Sequence, residues 1–403
     1  MNEVYDLIIV GAGASGIMCA VRAAERHRKV LLLEKAERPG RKILASGNGR
    51  CNLMNLGPRK YYGDSEFAEA VYRQCSPRYI YDYFTHLGLL MTEEEEGRVY
   101  PFSYQAATVM NVLKDAMDVF GVTVKTGFCV SKVQHEENCF IVLSDKKIQY
   151  QGTKLMIACG GAAQPKLGGT EDGYLLLHSM GHMITKLKPS LVPLKTDSKS
   201  ISGLSGIRCR AAVSLQRNNK LIHQEKGEIL FTDYGISGIC IMQCARFITD
   251  KDSYLEIDFL NGCFKNDEDI FREFIRRRKL FQYMSPICLL EGILSSRIAY
   301  AVMKQAGIPM RGEKAGELTD DDLRRIVSSS THYRIMITGT RGFEYAQVTA
   351  GGASCAEFDP STMESKIIPG LFAAGEVLNV DGDCGGYNLM FAFTTGYLAG
   401  NII

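Results

Sequence analysis

Residues 8 to 16 read IIVGAGASG, so Gly11, Gly13 and Gly16 follow a short apolar run at the G-x-G-x-x-G spacing, and a second apolar run, KVLLLEK, carries Glu34. Those residue types at that spacing hold a pyrophosphate. Gly11 permits a tight turn, Gly13 lets the backbone approach the phosphates, and Gly16 allows a helix to pack closely on its strand, while the free amides of Ala14, Ser15 and Gly16 face the anion. Glu34 accepts hydrogen bonds from a ribose; an acid there suits FAD or NAD and repels a 2′-phosphate. The motif follows a β-type run, opens a helix expected over Ala14 to Glu25 and has its acid at the right distance, which together make it a dinucleotide-binding opening.

Other chemistry-bearing passages are less local. RPGRKILASGNGRCNLMN, residues 38 to 55, sets Arg41, Lys42, Arg50 and three asparagines beside glycines, a composition that marks a functional loop. KLMIACGG reads as a buried strand running into Gly160 and Gly161, a return to the nucleotide-binding sheet. His178 and His182 stand four apart in an expected helix, but no H-E-x-x-H pattern and no third ligand accompany them, so no metal site is expected. The absence of C-x-x-C argues against a disulfide reductase.

The elements that must position these groups follow from length and patterning. The chain has 403 residues, a formal charge of +2, 46% hydrophobic and 23% charged residues. That composition describes an ordinary folded protein of two or three domains, with no global attraction to nucleic acid or membrane. Thirteen cysteines, odd in number and irregularly spaced, and no leader-like start point to a reducing cytoplasmic compartment. No apolar run is long enough to span a membrane. SPRYIYDYFTHLGL and AATVMNVLKDAMDVFG have helical periodicity, residues 122 to 145 alternate as strands, and residues 211 to 231 read as a hairpin. DEDIFREFIRRRKLF and LTDDDLRRIVSSS read as polar helices, the second capped by Thr319.

The expected fold is α/β: a Rossmann-like FAD-binding domain, discontinuous in sequence, with an inserted β-rich domain and a small helical subdomain. The boundaries expected are 1–190 for the first part of the FAD domain, 191–266 for the β-rich substrate domain, 267–335 for the helical subdomain and 336–403 for the C-terminal part of the FAD domain.

Four passages in order, GAGASG at 11 to 16, GRKILASGNGRCNLMN at 40 to 55, ACGGAAQPKLGGTEDGY at 158 to 174 with PSLVPL behind it, and TMESKIIPGLFAAGEVLNVDGDCGGYN at 362 to 388, carry a wider resemblance. Together they resemble the bacterial FAD-dependent flavoproteins called HI0933-like or BaiN-like, a two-dinucleotide-binding-domain group, over nearly the whole chain. The chain departs from the commoner pattern at Met54, Asp233, Asn379 and Met390-Phe391, which leaves the cofactor expectation intact and the substrate open. The resemblance implies that Gly375, Glu376, Asp381, Gly386, Tyr387, Asn388 and Leu389 lie beside the flavin. Ser46, Gly47, Asn48, Gly49, Arg50, Cys51 and Asn52 would cover it. Arg41 would neutralise phosphate, with Lys35 and Lys42 nearby, and Val130 would offer backbone to adenine. Cys51 and Cys384 would line the site, and Met390, Phe391 and Phe393 would either make the flavin edge more apolar or belong to the core.

The activity implied is an FAD-dependent oxidoreductase of the ene-reductase type, with NAD(P)H as transient reductant and an activated, carbonyl-conjugated C=C as acceptor, such as a steroid or bile-acid-like enone. Charge developing on the carbonyl oxygen needs donors, and Tyr387 and Tyr234 are the candidates. Alternatives are a dihydrouridine synthase acting on 23S ribosomal RNA, for which Arg272, Arg276, Arg277, Arg278 and Lys279 would supply phosphate contacts, an amine oxidase, or a flavin-containing binding protein without turnover. No second G-x-G-x-x-G marks a nicotinamide domain, and nothing in the sequence sets the oligomeric state.

Overall fold

The computed structural model describes residues 4–136, 139–248 and 253–403. It divides into two compact units, Met1–Pro189 with Gln347–Ile403, and Ser190–Ala346. The first is built on a seven-stranded sheet in the order Thr123–Lys125, Val30–Leu33, Val4–Val10, Gln149–Ile157, Cys139–Ser144 and Val130–Glu136, with Leu371–Ala373 also paired to Gln149–Ile157. The first four strands run parallel. Val30–Leu33 is buried along its whole length, which is why it reads as a continuous apolar run rather than an alternating one.

Gln149–Ile157 changes partner along its length. Gln149 to Gly152 pair antiparallel with the hairpin strand Cys139–Ser144, and Leu155 to Ile157 pair parallel with Leu371 to Ala373. The second pairing is how the C-terminal passage rejoins the sheet. Residues 137 and 138, inside the run expected to alternate as strands, lie outside the described residues. The expected helix forms as Ala14–Glu25. The final helix, Tyr387–Ile402, is apolar around its circumference and packs against it through Gly396 and Gly400. A Cβ at Gly396 would lie 2.2 Å from Ser15 O, and one at Gly400 2.7 Å from Cys19 O. Only a hydrogen fits at these two points.

The second unit is a closed six-stranded barrel, in the order Leu194–Thr196, Gly235–Ser237, Lys220–Thr232, Arg208–Arg217, Ser253–Asp258 and Tyr333–Thr340. Asn218 and Asn219, both with positive φ, form the two-residue hairpin turn. The helices Asp267–Leu280, Ser296–Gln305 and Asp320–Thr331 belong to this same unit.

Two expected boundaries are therefore corrected. Residues 267–335 do not separate from 191–266, because the strand that closes the barrel comes after the helices and must lie beside Ser253–Asp258. The return to the first unit comes at Gln347 rather than 336. Tyr333–Thr340 starts by alternating buried and exposed residues, as a half-exposed barrel strand does and a doubly covered parallel strand does not. Among the described residues, no helix is long and apolar enough to cross a membrane.

Candidate functional site

The three motif glycines do different work. Gly11 has φ +105°, and a Cβ there would lie 2.5 Å from Ala158 O; a Cβ at Gly16 would lie 1.9 Å from Gly11 O. Both are closed by backbone. A Cβ at Gly13 would meet no protein atom within 4 Å, so what glycine provides there is room, at the start of a helix with no side-chain cap and no acid in its first turn. Its first amides have no intrahelical partner, and the positive end of the helix dipole points the same way. Glu34 Oε2 accepts from the Ala12 amide and Oε1 from the Ala36 amide, both at 2.8 Å. These bonds fix the carboxylate and leave lone pairs for a ribose. The Phe128 amide donates to Glu34 O, which brings the chain leading into Val130 beside this acid.

Three other glycine-bearing passages close on this opening. Ser15 Oγ donates to Ala374 O, and a Cβ at Gly375 would lie 2.6 Å from Ser15 Oγ. Lys42 Nζ pairs with Glu376 Oε2 at 2.8 Å, while Glu376 Oε1 accepts from the Thr349 amide. The Lys42 ammonium lies beside Gly160, and a Cβ at Gly161 would collide with Glu376 Oε1 and Thr349 Oγ1. Lys35 pairs with Asp172, and Arg41 donates to Lys166 O.

The loop at 46–52 carries a run of left-handed residues, Gly47, Asn48, Gly49 and Cys51, at φ +55°, +55°, +84° and +55°. Ser46 Oγ donates to Ile43 O, and the Arg50 guanidinium stacks over Tyr100 and Tyr104. Asn52 Oδ1 is buried and accepts no hydrogen bond. A Cβ at Gly386, the residue that starts the uncapped final helix, would lie 2.7 Å from it. Asn388 closes the turn on itself, accepting from the Gly382 amide and donating to Gly382 O. Asp381 is buried in the same turn, and Leu389 follows on the helix. Room over Gly13, two uncapped helix starts and an orphaned acceptor at Asn52 fit a dinucleotide such as FAD.

The catalytic candidates belong to different units. Tyr387 is buried, its phenol is pushed up by burial, and its hydroxyl donates to Pro58 O at 2.8 Å, which ties down the neighbouring loop. Tyr234 lies in the second unit, in the turn between Lys220–Thr232 and Gly235–Ser237, under the Arg341 guanidinium at 4.0 Å. Met390, Phe391 and Phe393 are core residues, Phe393 edge-on to Phe84, so they do not form an apolar flavin edge. Burial pushes the Cys51 thiol up to about 11, and it stays protonated at neutral pH.

His182 sits beyond the end of the helix Asp172–Ser179, so the two histidines do not share a helix face. It is buried, with Nδ1 on Glu357 Oε2 at 2.8 Å and Nε2 on Ser365 Oγ at 3.0 Å. This has the outline of a hydrolytic triad. Ser365 Oγ also accepts from the Ile367 and Ile368 amides, so the serine pins a loop instead of facing a substrate.

The basic helix Asp267–Leu280 is largely neutralised within its own unit. Arg272 pairs with Asp269 and Arg276 with Glu273. Arg277 donates to Cys288 O and Glu291 O, and Arg278 to Leu318 O and Asp320. Phe271 and Phe274 between them are buried.

Sequence reading missed Asn55, Arg98 and Tyr100. Asn55 Nδ2 donates to Gly385 O at 2.8 Å. Arg98 faces Asn55 across a strand pair, and Tyr100 lies on the same face two residues on. The GRVYP passage that carries them holds no motif of its own. An arginine between an acidic run and a short apolar one was the available signal.

Comparison with known proteins agrees with this architecture. The chain is 34% identical over 97% of its length and 97% of the relative's to the 3-dehydro-bile acid delta(4,6)-reductase of Clostridium scindens. It is 29% identical, over 98% of both chains, to the ribosomal RNA dihydrouridine synthase of Haemophilus influenzae. Among solved structures, the 3-ketosteroid delta1-dehydrogenase of Sterolibacterium denitrificans shares the fold over 99% of each chain, with TM-score 0.50 and 13% identity. The model of the HI0933-like protein Rossmann domain matches residues 5–402, and the chain belongs to the HI0933-like family as an FAD-binding oxidoreductase.

Proposed function

We propose that this protein is an FAD-dependent reductase that uses NAD(P)H to saturate a carbonyl-conjugated C=C bond in a small hydrophobic acceptor of the steroid or bile-acid kind. The observation that carries this reading is the end-to-end similarity to a bile-acid reductase at 34% identity. FAD, when bound, would supply the two-electron carrier between nicotinamide and acceptor. The chain's own part is to hold it: the amides after Gly13 on the pyrophosphate, Glu34 on the ribose, and the 46–52 loop with the Asp381–Leu389 turn beside the ring. The uncapped start of Tyr387–Ile402 favours negative charge near that ring. The arginines of Asp267–Leu280, already paired or turned onto carbonyls, support a small-molecule acceptor over a polyanion.

The second reading, a dihydrouridine synthase acting on ribosomal RNA, is favoured by the 29% identity to such an enzyme over 98% of both chains. Uracil C5=C6 is also conjugated to a carbonyl, so the chemistry is closely related. One experiment separates them. The holoenzyme is reduced anaerobically with NADH or NADPH, then mixed with a 3-oxo-steroid or bile-acid enone, or with ribosomal RNA lacking dihydrouridine, and the oxidised flavin spectrum is followed. Rapid reoxidation by the enone is expected. Reoxidation by RNA alone would establish the second reading, and no bleaching by either nicotinamide would rule out NAD(P)H as the direct reductant.

A further inference from the structure

In the first unit, a three-stranded sheet of Met54–Asn55, Met91–Glu93 and Arg98–Pro101 lies against the turn that begins the final helix. Asn55 anchors that turn through Gly385 O. Arg98 is directly opposite Asn55, and its Nε would be 3.6 Å from a Cβ at Gly385, where nothing lies closer. Tyr100 shares the face of Arg98, is held under the Arg50 guanidinium at 4.7 Å, and feels the charges of Arg98, Glu94 and Arg50. Burial raises its phenol, with both arginines pulling the other way, so it remains a neutral donor.

Arg98's own partner, Glu96, is 71% exposed, and a pair so solvated holds its arginine weakly. Cys384, whose thiol is also raised by burial, lies within reach of the Arg98 charge. The result is a cation beside Gly385 and a neutral phenol on the same face of the sheet, within reach of that charge. Tyr387, by contrast, has its proton on Pro58.

We propose that Arg98 and Tyr100 form the oxyanion site of the reaction, binding the carbonyl oxygen of an α,β-unsaturated carbonyl acceptor. This rests on the reductase reading above. As hydride adds to the β-carbon, the C=C electron pair moves onto that oxygen as an enolate, and the α-carbon then takes a proton from water. The reduced cofactor is the two-electron donor, so electrons balance. Arg98 stabilises the negative oxygen by charge and Tyr100 by a hydrogen bond, both in place before the charge develops.

The test needs no turnover. p-Nitrophenol, whose absorbance reports its own ionisation, is titrated into the oxidised FAD-loaded enzyme near neutral pH, for wild type, R98Q, R98K and Y100F. Flavin content and thermal melting are recorded alongside. Wild type is expected to bind the phenolate and raise its ionised fraction; R98Q should weaken that binding by about tenfold or more, with partial recovery in R98K. Equal ionised binding by R98Q at full flavin content, or no binding by wild type, would overturn the proposal. If R98Q loses FAD, Y100F decides: a clear fall in ionised fraction supports the pair, and unchanged binding removes it. Should an enone fail to reoxidise the reduced enzyme while the phenolate result holds, the acceptor reading falls and the anion site stands.

Discussion

Two helices of the first unit and two of the second begin differently. Ala14–Glu25 and Tyr387–Ile402 start at glycines with no side-chain cap and no acid in the first turn. Asp267–Leu280 and Asp320–Thr331 start at Asn266 and Thr319, whose side chains accept from the Asp269 and Asp322 amides, and each has three acids in its first turn. The second pair satisfies its own orphan donors and neutralises its own dipole. The first pair leaves both for something outside the chain. On the proposed function, the contrast separates helices kept for stability from helices kept for a ligand, and it agrees with the charges: the arginines of Asp267–Leu280 are spent on neighbours, while the motif glycines and the orphaned Asn52 acceptor lie in the first unit.

The sharpest way to break the comparison is to fill the glycines. Gly16→Val should abolish both folding and flavin binding, since its side chain would meet Gly11 O in the backbone. Gly13→Val should leave the apoprotein's melting temperature nearly unchanged and weaken FAD by about a hundredfold, about 3 kcal/mol; full flavin content in that variant would end the pyrophosphate assignment. Gly396→Val should cost about 3 kcal/mol of stability through overpacking against Ser15 O, read by denaturant melting of the apoprotein.

Thr319→Ala should cost about 1 kcal/mol with flavin content intact. Its effect should depend on pH. Hydrogen bonds from the Thr319 side chain and backbone hold the Asp322 carboxyl below its ordinary range, so the stability it contributes is present above the unfolded carboxylate's pKa and lost as pH falls through the folded one. The variant's acid limb should therefore be flatter than wild type's. Arg276→Ala, at an exposed pair with Glu273, should leave the melting temperature nearly unchanged and leave enone reduction unaltered. A large loss of RNA-dependent turnover instead would make that helix a docking surface.

How much was legible varies by residue. Gly11, Gly13, Gly16 and Glu34 could be read because their constraints are local or tied to one β-α-β unit, and the Thr319 cap because its acids follow within a turn. Tyr387 was readable as a neighbour of the site, but not its bond to Pro58, 329 positions away. Met390 and Phe391 were readable as apolar, but the choice between flavin edge and core was not, because the final helix is apolar all round and presents no face to choose.

The sequence by itself determined the nucleotide-binding opening, the helix ends and the existence of strands after residue 190, since steric limits, capping and periodicity act over a few residues. Only the tertiary structure decided that one strand closes the barrel from beyond three helices, that Lys42 meets Glu376, and that Arg98 lies opposite Asn55 and beside Gly385. Those facts depend on pairings between segments far apart in the chain, for which no local pattern carries the register.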